Sequence, residues 1–161
     1  MKFDVHSLAI EIEQVLNQLF GELIGCGDAS LIVQPLRSVP GSRITLRPRN
    51  KFAAEIRIIC EDSVDMIYMT AGESTSFEIP LEGGRYTQLR EADEFIAIVR
   101  AIVDGKFREI ICTRDSEIVR SKAVLEPENA TPIQIKTAQS LLGLLRRCQE
   151  HKRVYLPYKQ Y

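Results

Sequence analysis

The stretch LREADEFIAIVRAIVDGKFREIICTRDSEIVRSKAVLE, residues 89–126, decides the fold. Glu91, Asp93 and Glu94 open it as an acidic cluster, and Phe95, Ile96, Ile98, Val99, Ile102 and Val103 follow at helical spacing. Acidic side chains in a first turn oppose the positive end of the helix dipole, contributing about 0.3–1 kcal/mol each. Asp104 and Gly105 end the helix, because glycine takes the left-handed conformation that a carboxy-terminal cap needs. Residues 107–114 then read as a strand, Asp115 and Ser116 as a turn, and residues 117–125 as the returning strand. A helix feeding an antiparallel hairpin is the unit around which the rest completes a core.

Upstream, Leu8, Ile12, Val15, Leu16, Leu19, Phe20, Leu23 and Ile24 form one broad apolar stripe, so a first helix must pack on a sheet, a helix or a second subunit. Asp4 or Ser7 caps its start, and Gly25 and Gly27 close it. Short strands follow. Leu31, Ile32 and Val33 form one, with Pro35 marking an edge. Residues 43–47 alternate, with Ile44 and Leu46 inward. Residues 52–60 have a central-strand composition, residues 64–69 return beside them, and residues 77–79 make an edge strand limited by Pro80. Thr131 and Pro132 read as the cap and first position of a third helix, with Ile135, Ala138, Leu141, Leu142 and Leu145 as its stripe. The tyrosine-rich tail, residues 154–161, packs along the domain. The expected fold is α+β, a single domain over 1–161, with an antiparallel sheet of about five to seven strands and three helices mainly on one face.

Composition bounds the function. With 161 residues the chain can bury a real core, and 45% apolar with 27% charged residues is ordinary for a globular protein. A net charge of −1 gives no bulk attraction to nucleic acid or an anionic membrane. No uninterrupted apolar run is long enough to span a bilayer, and no secretory signal opens the chain. Cys26, Cys60, Cys112 and Cys148 are scattered without a CxxC pair and read as reduced, mostly buried thiols of a cytoplasmic protein.

Catalytic and cofactor signatures are missing. His6 and His151 have no ligand-like neighbours beyond Cys148, so no metal or other cofactor is expected. GESTS (72–76) lacks the second flanking glycine of a nucleophile elbow, and GELIGCG (21–27) ends a helix and lacks the lysine of a phosphate loop. Charge is nevertheless segregated. Arg37, Arg43, Arg47, Arg49 and Lys51 run without an acidic residue, and Arg43, Arg47, Arg49 and Lys51 make the candidate patch for an anionic partner. Phe52 is the single aromatic nearby, so single-stranded nucleic acid lacks a stacking platform and a solvated edge-strand face is favoured over nucleic-acid binding. Residues 61–94 are predominantly acidic and include Tyr68 and Tyr86; Tyr68, Tyr86, Glu61, Asp62, Asp65 and Glu91 form the candidate surface for a basic protein partner.

The order of a first helix, antiparallel strands, the helix opening at LREADEF (89–95) and the hairpin of residues 107–125 resembles small bacterial immunity-type proteins of polymorphic toxin systems. The likeness is one of layout over residues 75–125. It implies a non-catalytic cytosolic protein that binds and neutralises a cognate toxin, and it transfers no site residue. The alternatives are an enzyme or small-ligand carrier with a pocket between sheet and first helix, and a homodimeric structural subunit burying the first or third helix stripe across a two-fold axis.

Overall fold

A computed structural model describes residues 6–61, 66–80, 93–128, 131–138 and 147–159. Helix α1 (His6–Gly25) leads into a five-strand meander, β1 (Ala29–Pro35), β2 (Gly41–Pro48), β3 (Ile56–Glu61), β4 (Met66–Ala71) and β5 (Thr75–Pro80), paired antiparallel in chain order. Helix α2 (Asp93–Val103) precedes a second antiparallel sheet of β6 (Phe107–Arg114), β7 (Glu117–Leu125), β8 (Ile133–Ala138) and β9 (Gln149–Val154), in the order β8-β7-β6-β9.

Both helices end where their glycines require. Asp28 N–H bonds to Leu23 O and Gly27 N–H to Ile24 O, while Lys106 N–H bonds to Ala101 O and Gly105 N–H to Ile102 O. Gly27 and Gly105 have φ of 78° and 72°, so each helix closes in a Schellman motif. The β6–β7 hairpin turns through Asp115 and Ser116, both at positive φ (50° and 66°), the two-residue turn whose twist matches paired strands.

The chain is α+β and its sheets antiparallel, but the single sheet becomes two, of five and four strands, and two helices are present among the described residues. Both sheets turn apolar residues into one shared core, with α1 against β1 and β2 and α2 against β7. The first part of the expected third helix is corrected: residues 133–138 are β8, paired to β7 with Ile133 opposite Leu125 and Ile135 opposite Ala123. Ile133, Ile135 and Thr137 alternate with polar residues, and β7 offered an unpaired edge; that period outweighed the helical one. Leu141, Leu142 and Leu145 lie outside the described residues. Lys152 lies in β9.

One continuous core draws Leu8, Ile12, Leu16 and Phe20 of α1, Phe95, Val99 and Ile102 of α2, and inward residues of both sheets. Ile44 and Leu46 are fully buried, as their alternation requires. Residues 155–158 then strap the domain. Tyr155 N–H bonds to Phe107 O, Leu156 N–H to Phe52 O and Tyr158 N–H to Val103 O. The Tyr158 hydroxyl reaches Ala54 O at 2.6 Å and Leu46 O at 3.2 Å, and Asn50 Nδ2 donates to Pro157 O.

The expectation of four reduced thiols is also corrected. Cys112 of β6 and Cys148, just before β9, form a disulfide with Cα atoms 5.6 Å apart; β6–β9 pairing brings together residues 36 apart in sequence. Disulfides persist in oxidising surroundings, so the thiol argument for a cytoplasmic protein no longer holds for this pair. No helix among the described residues is long and apolar enough to cross a membrane. Thiol titration in denaturant without reductant is expected to find two thiols per chain, Cys26 and Cys60, where four reduced cysteines would give four. Cys148→Ser is expected to lower stability by up to roughly 3–4 kcal/mol in urea unfolding, from the loop entropy released.

Candidate functional site

Strand β6 alternates Phe107, Glu109 and Ile111 inward, which carries a carboxylate to a fully buried position. Five donors surround it. Oε1 accepts from Ser74 N–H (3.0 Å), Ser74 Oγ (2.9 Å) and Thr75 Oγ1 (2.5 Å). Oε2 accepts from Glu73 N–H (3.0 Å) and the Tyr155 hydroxyl (2.5 Å). The turn between β4 and β5 thus folds over a carboxylate of the other sheet. Tyr155 stacks on Phe107 with ring centroids 5.0 Å apart, and Arg153 of β9 reaches the Glu73 carboxylate at 2.7 Å.

Burial pushes the Glu109 carboxyl upward, but hydrogen bonds from Thr75, Tyr155, Glu73 N–H and Ser74 outweigh it and hold the group below its ordinary value. Burial, then the hydrogen bond to Glu109 and that group's charge, push the Tyr155 phenol upward, so it stays a donor. A carboxylate offers about four lone-pair positions, all engaged here, which leaves none for a substrate proton. Ser74 and Thr75, two of the three hydroxyl residues of the GESTS segment, are committed to that same carboxylate. This constellation is a clasp between sheets.

Gly72 makes the clasp possible. Its φ is +65°, and a Cβ there would stand 2.6 Å from both Glu109 Oε2 and the Tyr155 hydroxyl oxygen.

The surface groups lie elsewhere. On the outer face of the five-stranded sheet, cross-strand pairing aligns Gln34, Arg43, Ile59, Tyr68 and Glu78 in one row and Ile32, Thr45, Arg57, Thr70 and Ser76 in the next. Ile59 and Tyr68 are half-buried in the middle, with Arg43 and Glu78 exposed on either side. Arg47 and Arg57 share this face, and Glu55 binds both at 2.6 Å. Burial opposes the Glu55 charge, yet hydrogen bonds from Arg47 and Arg57 keep its carboxyl below the usual range.

The basic patch expected from sequence is therefore divided. Arg43 and Arg47 lie on the sheet face, the latter neutralised by Glu55. Arg49 and Lys51 follow the strand and border a surface pocket of about 340 Å³ with Asp28, Phe52, Asn50 and Tyr158; the Lys51 ammonium lies 5.1 Å from the Phe52 ring centre. A second pocket of about 580 Å³, at the β1–β2 hairpin, is lined by Gln34, Leu36, Arg37 and Arg43 among others. Neither lies between sheet and α1, where Leu8, Ile12 and Leu16 are fully buried.

Of the acidic surface, Tyr68 and Glu61 share the outer sheet face. Asp62, Asp65, Tyr86 and Glu91 lie outside the described residues. Sequence reading missed Glu109 and its donors; the available signal was a glutamate at an inward position of an otherwise apolar alternation. No cluster of three or more histidine, cysteine or carboxylate side chains suited to a metal occurs among the described residues. No protein-family model, curated protein or solved structure matches the chain.

Glu109→Gln is expected to cost roughly 2–4 kcal/mol in urea unfolding at neutral pH. Because the folded carboxyl is depressed, its stabilisation is complete above the ordinary carboxylate range and lost as pH falls through the folded value. The variant should accordingly lose less stability than the wild type on acidification. Gly72→Ala should destabilise by more than about 1 kcal/mol, through both backbone strain and the clash, read as a lower thermal midpoint.

Proposed function

We propose that the chain is a non-catalytic protein-binding module, most concretely a bacterial immunity-type protein that neutralises a cognate toxin. The observation that carries this reading is the outer face of the five-stranded sheet, where half-buried Ile59 and Tyr68 lie between exposed Arg43 and Glu78. An apolar centre with an aromatic anchor and a charged rim is how protein surfaces recognise one another. Arg43 and Glu78 fix the orientation of a partner carrying charges of the opposite order. The best-formed polar cluster, around Glu109, is consumed in holding the fold, which leaves surface complementarity as the trade. Glu61 shares that face with Tyr68, which makes a basic toxin the fitting partner; Asp62, Asp65, Tyr86 and Glu91 belong to the proposed contact by sequence alone. Arg49 and Lys51 belong to a separate pocket and play no part in it. The layout of a first helix, meander, second helix and hairpin supports the immunity form.

Where the binding takes place follows from the redox state of Cys112 and Cys148: an intact bond favours an oxidising compartment over the cytoplasm.

The test is co-expression with a toxin encoded beside this gene. Growth should be restored by the wild type and not by Tyr68→Arg, which should weaken the purified complex by about 2 kcal/mol or more, roughly 30-fold in Kd by calorimetry. Unimpaired protection by Tyr68→Arg would move the contact to another face, and failure of the wild type to bind would dismiss immunity.

A further inference from the structure

The core of the five-stranded sheet is sealed at one edge and open at the other. A single inward row crosses all five strands: Val33, Ile44, Ile58, Met69 and Phe77. Ile44, Ile58 and Met69 are fully buried, and Phe77 at the β5 edge is only 5% exposed. Val33 at the β1 edge is 42% exposed. The neighbouring row, Leu31, Leu46, Ile56 and Ala71, likewise ends at β1 on a half-buried Leu31.

The backbone edge is just as open. β1 pairs with β2 alone among the described residues, and its seven residues, Ala29–Pro35, carry no charge. Uncharged apolar edges are what proteins normally blunt with charges. The other edges carry charge: β9 has Glu150, Lys152 and Arg153, β5 has Glu78 and β8 has Lys136, whereas β1 has only Pro35 at its hairpin end.

We infer that β1 is a dimerisation strand, pairing antiparallel with β1 of a second copy of this chain to make one ten-stranded sheet. The strand's own sequence selects this occupant. A two-fold axis at its midpoint, Ile32, pairs residues 30–34 fully, with Pro35, which has no N–H, opposite Ala29 at each end. It sets Ile32 against Ile32, Leu31 against Val33 and Ser30 against Gln34 of the second copy. Residues that face inward thereby meet inward residues, and the two open ends of the core close on each other; a slip by one residue would set inward against outward. No charge opposes a charge across the axis. The pairing is isologous and closes at two chains. It leaves the row of Arg43, Tyr68 and Glu78 open on the outer face, and it does not depend on the proposed partner contact.

Sedimentation of the purified chain from micromolar to submillimolar concentration should show a monomer–dimer equilibrium. Ile32→Lys places two ammonium groups face to face on the axis and should weaken association by about tenfold or more, with circular dichroism reporting whether the fold is retained. In a Cys26→Ser background, Ile32→Cys should form a covalent dimer on oxidation, because directly opposed antiparallel residues have Cα atoms about 4.5–5.5 Å apart, within disulfide reach. Gln34→Cys in the same background should not cross-link, since it faces Ser30 of the other copy. A monomer throughout the range, a dimer indifferent to Ile32→Lys in a folded variant, or a dimer that Ile32→Cys fails to cross-link would each overturn the inference. A dimer built on a helix face, or an edge reserved for a different protein's strand, would show itself through one of those results.

Discussion

One buried carboxylate joins the two halves of this protein. Glu109 belongs to β6; three of its five donors come from the turn between β4 and β5, and a fourth is Thr75, the first residue of β5. An ionised group in an apolar interior is tolerable only when its oxygens are fully engaged, and here the donors are backbone and hydroxyl groups set by a tight turn. The geometry is demanding in a way that hydrophobic contact is not. Gly72 is confined to a single conformation, Tyr155 must stack on Phe107 to aim its hydroxyl, and Arg153 must hold the Glu73 side chain aside. Apolar burial gives the domain most of its stability; the clasp sets the register in which one sheet meets the other.

That arrangement explains why polar residues that look chemical in the sequence are structural in the fold. The GESTS segment has the residues of a nucleophile turn, but its serine and threonine hydroxyls point to a charge on another strand. The basic run after β1 has five cations in sequence, yet Glu55 neutralises Arg47 and pairing separates Arg43 from Arg49 and Lys51. Among the described residues, the outer face of the five-stranded sheet keeps Arg43 and Glu78 exposed around half-buried Ile59 and Tyr68.

The local structure was legible wherever a single period or a single backbone requirement ruled. Gly27 and Gly105 marked the helix ends, Asp115 and Ser116 the hairpin turn, and Ile44 and Leu46 the inward side of β2. Residues 133–138 were misread because Ile135 and Ala138 fit a helical stripe while Ile133 and Ile135 fit a strand, and only the free edge of β7 decides between them. The division into two sheets depends on contacts between distant segments, which no local pattern carries. Glu109 stood in plain view among apolar neighbours, but its donors lie in a turn more than thirty residues earlier and a tyrosine forty-six residues later. The disulfide was hidden for the same reason: Cys112 and Cys148 become neighbours only after β9 pairs with β6.

The strap of residues 155–158 has a temporal consequence. The carbonyls of Leu46 and Ala54, and the amide of Asn50, are made more than a hundred residues before the hydroxyl and carbonyl that satisfy them. Until then the five-strand meander, whose contacts are almost all between sequence neighbours, can assemble with its floor still hydrated. Closure is therefore a separate event that follows the sheet, and a chain cut short before Tyr158 would hold a finished meander over an unfinished interior.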